Sequence, residues 1–238
     1  MYRSYYGFNA KPFQLKPDPH FFFGSTGHKR AMAYLEYGLS QGEGFIVITG
    51  EVGAGKTTLM RNLFRKLESE KIVAAQIVNT NLDSDDTLKM VAAAFGLPLS
   101  HGNGGKASLL IGLEQFFRQC DQQGKRALLV VDEAQNLSSR TIEELRMLSN
   151  FQTDDKPLLQ TFLLGQPEFR KTMLSSEMQQ LRQRVTATYH LGPMDLAETR
   201  AYIEHRLKTA GWNGNPSFDD DAFTEIHGYT NGIPRQIN

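Results

Sequence analysis

The chain's densest chemistry lies in GEVGAGKT (50–57), which fits the spacing G-x-x-x-x-G-K-[ST]. The apolar run FIVITG (45–50) leads into it and the helical pattern TTLMRNLFRKLES leaves it, the strand-to-helix context that a phosphate-binding loop needs. Gly50, Gly53 and Gly55 let the backbone close around phosphate oxygens, while successive N–H groups and the helix N-terminus supply positive potential. Lys56 reaches the β- and γ-phosphates and the Thr57 hydroxyl binds Mg²⁺ in this reading; Glu51, Val52, Ala54 and Thr58 complete the nucleotide-contacting set.

A second group follows in LLVVDEA (128–134). Asp132, at the C-terminal end of an apolar strand, is suited to complete a Mg²⁺ shell directly or through water. Glu133 is placed to orient and deprotonate a water for in-line attack on a γ-phosphate, or else caps the next helix. In LLGQP (163–167) the Gln166 amide leaves the end of another strand, either to sense the phosphate and hold the water or as a turn residue. In LRQRVTATYHLGPM (181–194), Arg182 and Arg184 precede the last strand. One of them, with Arg184 favoured, is the candidate to enter a neighbouring subunit's site as an arginine finger; the alternative is a solvated basic face.

These residues need strands to carry them. Five β-rich runs alternate with helical patterns: FIVITG (45–50), IVAAQIVNT (72–80), ALLVVDEA (127–134), LLQTFLLG (158–165) and TATYHLG (186–192). Apolar strands separated by helices predict an α/β fold, a parallel sheet covered on both faces. Apolar residues recur at three-to-four spacing in TLKMVAAAFG, KASLLIGLEQFFRQCDQQG, SSRTIEELRMLSNF and SEMQQLRQRV, and Ser138 and Ser139 before Glu143 mark a helix start. After Pro193 two helical patterns, LAETRAYIEHRLKTAGW and FDDDAFTEIHGYTNG, follow without a strand, which sets a domain boundary there. The stretch SHGNGGKA (100–107) reads as a surface connector, and the acidic DSDD (83–86) as a solvated helix start.

Composition narrows the partners. Twenty-six basic residues balance twenty-six acidic ones, so no global field draws the chain to nucleic acid or anionic lipid. Its one cysteine, Cys120, falls in an amphipathic helical pattern and offers neither a disulfide nor a cysteine metal site. His28, near Lys29 and Arg30, has no metal-spaced companion and reads as structural. No stretch approaches the roughly 20 apolar residues that span a bilayer, and the expected place is the cytoplasm.

Strand, glycine-rich loop, VVDE, GQP, LRQRV and the terminal GIPRQIN, in that order, resemble an AAA+ ATPase of the general-secretion-pathway A (ExeA-type) branch. Within it, residues 11–59 and VDEAQNLSSRTIEELRMLSNFQ look most similar to the ATPases associated with exosortase/PEP-CTERM exopolysaccharide systems. The resemblance implies a P-loop NTPase αβα sandwich with a five-stranded parallel sheet, followed by a helical lid. Its division is an N-terminal segment (1–44) packed on the nucleotide domain, an AAA+ core (45–193), and the start of the lid (194–238), which continues past Asn238. It makes adenine the base, with the region around Pro12, Phe13 and Phe21 to Phe23 helping to enclose it, although three consecutive phenylalanines are more often core filler than a base-stacking platform. It makes Arg235 in GIPR the sensor 2 residue, contacting the γ-phosphate of the same subunit's ATP, against the plainer reading of a frayed terminal arginine. It also implies homo-oligomers, as a ring or filament, that share sites between neighbours.

The leading expectation is therefore a Mg²⁺-dependent ATPase that acts as a motor or switch for an envelope export, exopolysaccharide or secretion machine, at the inner face of the membrane through a partner or a further part of the chain. The alternative is a DNA-associated regulator, because AAA+ transposition proteins of the TnsC and TniB type look similar in the same segments. Basic patches in MRNLFRK and LRQR offer candidate phosphate contacts for it, but acidic residues are interspersed with them. A nucleotide-binding module without turnover is disfavoured by Glu133.

Overall fold

The computed structural model of the chain describes residues 2–15, 18–42, 44–67, 71–78, 84–98, 105–154 and 156–238, without the side chains of 84 and 85. Residues 100–104 of the glycine-rich stretch, 79 and 80 of the second β-rich run, and Asp83 lie outside them. In chain order the elements are α1 (Tyr2–Tyr6), α2 (Thr26–Gln41), β1 (Phe45–Gly50), α3 (Lys56–Leu67), β2 (Ile72–Ile77), α4 (Ser84–Ala94), α5 (Lys106–Gln122) and β3 (Arg126–Val131). They continue with α6 (Ser139–Leu148), β4 (Leu159–Gly165), α7 (Pro167–Met173), α8 (Gln179–Arg182), β5 (Val185–Leu191), α9 (Leu196–Thr209), α10 (Asp220–Thr230) and α11 (Pro234–Ile237). The chain forms two compact units: Ala33–Thr49 with Leu63–His190, and Met1–Met32 with Gly50–Asn62 and Leu191–Asn238.

The larger unit holds nearly all of a five-stranded parallel sheet of order β2-β3-β4-β1-β5. Because the strands are parallel, their C-terminal ends gather at one edge, and β4 separates β1 from β3 there. The central strands are buried on both faces, which is why β1, β3 and β4 read as unbroken apolar runs. One face, carrying Phe45, Val47, Leu129, Val131 and Leu163, packs on Leu88 and Val91 of α4, Leu113 and Phe117 of α5, and Ile142 and Leu145 of α6. Burial of such side chains contributes roughly 1.5–3 kcal/mol each. On the other face Ile46 lies so close to Gly38 of α2 that a Cβ there would stand 1.7 Å from Ile46 Cδ1. Gln160, buried on that same face, donates from Nε2 to the Gly38 carbonyl at 2.6 Å. Edge strand β5 alternates buried and exposed positions, as a strand with a neighbour on one side only tends to.

Local signals set most boundaries. Ser138 caps α6 by accepting from Thr141 N at 3.0 Å, and Asp195 and Asp219 cap α9 and α10 in the same way at 2.8 Å, each worth about 1 kcal/mol. Pro234 opens α11, where its missing N–H costs nothing. The pattern SEMQQLRQRV does not form one helix: a 3-10 turn at Ser176–Met178 precedes the four-residue α8, and Val185 already belongs to β5. Its apolar residues, Met178 and Leu181, are too few to bury a longer helical face. Helix α7 follows Gln166, where the sequence pattern gives no helix. Cys120 is buried on α5, and loss of solvent pushes its thiol pKa up.

The smaller unit has its own core of Phe8, Phe21, Met194, Tyr202, Ile203, Leu207 and Phe223. Within it Arg206 is 7% exposed, its guanidinium 5.1 Å from the Phe21 ring centroid and its Nε donating to the Pro12 carbonyl at 2.5 Å. The N-terminal segment is thereby pinned to α9. Phe23 packs edge-on against Tyr202, so Phe21 and Phe23 both serve this core.

Candidate functional site

In the smaller unit the loop from Gly50 to Lys56 turns on glycines whose φ values, +86° at Gly53 and +101° at Gly55, are strained for any residue with a Cβ. Ala54 N donates to Glu51 O at 3.1 Å inside the loop, and Leu59 N to Gly55 O at 2.9 Å as α3 begins. Lys56 is 7% exposed and its ammonium donates to the carbonyls of Gly50 at 2.6 Å and Glu51 at 3.0 Å. The one strong cation of the loop is therefore folded back over it. Thr57 and Thr58 stand half-buried in the first turn of α3, whereas Glu51 and Val52 are exposed.

Two residues from elsewhere in the same unit close on this loop. Arg235 N donates to Gly53 O at 3.3 Å, and a Cβ on Gly53 would meet Arg235 Cβ at 2.3 Å. The terminal turn is also tied at Asn238, which accepts from the Tyr202 hydroxyl at 2.8 Å and donates to Gln14 O at 3.3 Å. The second residue is His28, buried on α2, with its Nε2 only 2.5 Å from where a Cβ on Gly55 would be. Burial holds the imidazole pKa below its usual value, against hydrogen bonding to the Ala54 backbone and the nearby Glu198 carboxylate, which raise it. From sequence His28 reads as structural, because only a histidine at the start of a helix is visible there.

The larger unit carries the carboxylates. Asp132 is 3% exposed just past the end of β3, and its Oδ1 accepts from Glu133 N at 3.0 Å. Glu133 takes the left-handed conformation (φ 54°, ψ 41°), unusual for a residue with a side chain and common where a site is under functional constraint. Its Oε2 accepts from Gln135 Nε2 at 2.5 Å and from Gln166 Nε2 at 3.1 Å. Gln135 Oε1 in turn accepts from the Gln166 backbone N–H at 3.0 Å, which closes a ring of three residues. Gln166 occupies the N-cap position of α7 without capping it, because its amide is turned to Glu133. Sequence reasoning misses Gln135; its one signal is an amide two positions after a strand-end carboxylate.

The two arginines part company. Arg182 Nη1 donates to the carbonyls of Met173 and Ser175, both at 2.6 Å, so its guanidinium holds the turn after α7. Arg184 Nη1 donates to Ser149 Oγ at 2.9 Å, and the Glu143 carboxyl pKa is held down by the Arg146 hydrogen bond first, then by the Arg146 charge and last by that of Arg184. Its own carbonyl accepts from Phe45 N at 2.8 Å where β1 begins. Arg184 thus sits at the N-terminal edge of the sheet, the edge opposite Glu133 and Gln166.

Residues 39–173 match the family described as an AAA domain. The chain belongs to that family. All 238 of its residues align at 39% identity with the general secretion pathway protein A of Aeromonas hydrophila, of whose length it spans 43%. That identity supports a place in the ExeA-type AAA+ branch. The fold is similar to Cdc6p from Pyrobaculum aerophilum (TM-score 0.71, 16% identity, 92% of this chain and 63% of that one). It is also similar to the ORC2 protein of Aeropyrum pernix in its ADPNP-ADP complexes (TM-score 0.66, 17% identity, 93% and 64%) and to a point variant of Thermotoga maritima RuvB (TM-score 0.57, 20% identity, 94% and 63%). AAA domains with this loop bind nucleotide, and the family implies ATPase activity. Among the described residues no helix is long and apolar enough to cross a membrane.

The donors suit Mg²⁺. In the smaller unit Thr57 offers a hydroxyl and in the larger Asp132 offers a buried carboxylate, each by itself a hard oxygen donor of the kind this ion takes alongside water and phosphate oxygens. Among the described residues no group of three His, Cys, Asp or Glu side chains gathers to hold a metal, and an ion shared with phosphates needs none.

Proposed function

We propose that this chain is the ATP-hydrolysing AAA+ module of a secretion or envelope-export machine, with exopolysaccharide export as the narrower setting. The observation that carries it is the Glu133 carboxylate, held by two amides at the sheet edge one residue after a buried aspartate. A module that only sensed nucleotide would not need a positioned base.

In this reading the amides of Glu51 to Thr58 and the Lys56 ammonium bind the α-, β- and γ-phosphates, and Lys56 exchanges its loop carbonyls for them. Thr57 and Asp132 are the residues that would hold Mg²⁺, which would supply neutralising charge to the phosphates. Glu133 accepts a proton from water as that water attacks the γ-phosphorus, and the γ-phosphoryl group leaves ADP as phosphate. Gln166 keeps the carboxylate aimed and responds to the γ-phosphate. Residues 194–238 act as the start of a lid, on which Arg235 reports the γ-phosphate. Arg184 serves a neighbouring subunit in a ring or filament, a role supported by its place at the sheet edge opposite Glu133. The secretion setting is supported by the similarity to general secretion pathway protein A.

Steady-state ATPase activity of the wild-type chain and of Lys56→Ala, with duplex DNA titrated in at low salt, tests this. The expected result is a basal Mg²⁺-dependent rate, indifferent to DNA and absent in Lys56→Ala. No turnover in the wild type as an assembled oligomer overturns the ATPase reading. Strong stimulation by DNA that fades with salt transfers the chain to the DNA-associated regulators.

A further inference from the structure

Arg184 lines a cleft of about 430 Å³ together with Ser149, Gln152, Gln183 and Thr186, and among the described residues lining it Arg184 alone carries a charge. Its backbone is held from both sides: Arg184 N donates to Leu181 O at 2.8 Å, and Arg184 O accepts from Phe45 N at 2.8 Å. The root of the side chain is therefore fixed between α8 and β1. A guanidinium has five N–H donors and no acceptor, yet among the described residues its one hydrogen-bond partner is Ser149 Oγ, 2.9 Å from Nη1.

Ser149 is itself firmly placed. It is buried where α6 ends, its N–H donates to the Leu145 and Arg146 carbonyls at 3.2 and 3.1 Å, and its hydroxyl donates to the Arg146 carbonyl at 2.6 Å. A serine hydroxyl carries a single hydrogen; with that hydrogen on a carbonyl, the oxygen can only accept from Arg184. On the same helix Glu143 gives both carboxylate oxygens to Arg146, at 2.8 and 2.6 Å, and none of its described hydrogen bonds goes to Arg184. The guanidinium is thus tethered by one neutral oxygen and keeps its charge and its other N–H groups for an anion. A tether at the tip of a long side chain also removes rotamer freedom that anion binding would otherwise have to remove.

We propose that Ser149 is a positioning residue for Arg184, which holds the guanidinium in this cleft so that its remaining N–H donors meet the γ-phosphate of ATP bound to a neighbouring subunit. The inference rests on the proposed role of Arg184 in that neighbour's site.

Steady-state ATP turnover of the assembled wild type, Ser149→Ala, Ser149→Cys and Arg184→Ala tests it, with a thermal melt of each variant alongside. Ser149→Ala is expected to lower kcat about tenfold, the scale of one lost buried hydrogen bond, with KM for ATP within about twofold of wild type. Arg184→Ala should lose on the order of 10³-fold. Cysteine, close to serine in shape but a weak acceptor, should follow alanine, and it decides should Ser149→Ala fail to fold. Lys56→Ala subunits have no turnover of their own in the proposed reading but carry Ser149 and Arg184. In mixed oligomers they should restore turnover to Ser149→Ala and to Arg184→Ala subunits, because the arginine acts across the interface. Unchanged kcat in Ser149→Ala and Ser149→Cys beside a silent Arg184→Ala overturns the inference alone. So does restoration of Arg184→Ala without that of Ser149→Ala, the mark of a packing defect inside the altered subunit. Retained turnover in Arg184→Ala, or a loss that no neighbour restores, overturns the reading of Arg184 and this inference with it.

Discussion

The loop at Gly50–Lys56 and the cluster around Glu133 stand on different kinds of chemistry. The loop is made of consecutive residues, and what it presents to a ligand is backbone, shaped by glycines at positive φ. The cluster is made of side chains from β3, the turn after it and the end of β4, with Gln166 lying 33 positions from Glu133. A backbone site tolerates changes in side-chain chemistry that leave its φ values open, and fails on addition of a single methyl group. A side-chain site tolerates backbone neighbours but fails on loss of one charge or one amide.

Substitutions that separate these modes sharpen the contrast. The largest effect is expected at Glu133, where Glu133→Gln keeps shape and removes the base. Turnover should fall on the order of 10³-fold, the scale of general-base catalysis, while ATP affinity stays near wild type. Retained turnover in a steady-state assay removes the catalytic half of the contrast. Next comes Gly55→Ala, which adds a Cβ 2.5 Å from His28 Nε2 at φ +101°. Affinity for ADP should drop on the order of 100-fold through backbone strain of a few kcal/mol, with the melting temperature read alongside. Equal affinity would show that the loop is not held by its backbone. Gln135→Leu should lower turnover about tenfold with affinity unchanged, since it removes one amide from the carboxylate and leaves the loop alone. A change in affinity instead would tie the two sites more closely than this account allows.

The smallest effect is one of pH. His28 is held neutral in the folded chain by burial, whereas in the unfolded chain it titrates near 6.5. As pH falls below 6.5 the unfolded chain takes up a proton that the folded chain resists, so stability falls and levels off only below the lowered folded pKa. Ser25, the Ala54 backbone and the Glu198 carboxylate are the groups that act on the ring, and the last two moderate the effect. Melting curves of the wild type between about pH 7.5 and 5.5 should slope more steeply than those of His28→Gln, which has no proton to gain. Parallel slopes would mean that burial does not hold the ring neutral.

What can be read from sequence follows the same division. The phosphate loop, the apolar central strands and the Ser138 cap are legible because each is a contiguous pattern whose physics is local: glycine freedom, strand burial, a hydroxyl reaching one turn on. Asp132, Glu133 and Gln166 are legible as positions at strand ends, but their mutual bonding is not. The short α8 departs from its pattern because residues 176–185 carry helical spacing without enough apolar surface to sustain it, and the helix after Gln166 has no clear pattern to announce it. By itself the sequence determined the α/β class, the five strands and the chemical identity of the loop, since these depend on neighbours along the chain. Tertiary structure alone decided that Gln166 shares the Glu133 carboxylate, that Arg182 binds the Met173 and Ser175 carbonyls while Arg184 stands at the far edge of the sheet, and that His28 reaches the loop at Gly55. Those contacts depend on strand order and on how segments distant in sequence are folded together, and a side chain's partner across such a distance leaves no mark in the spacing of the residues around it.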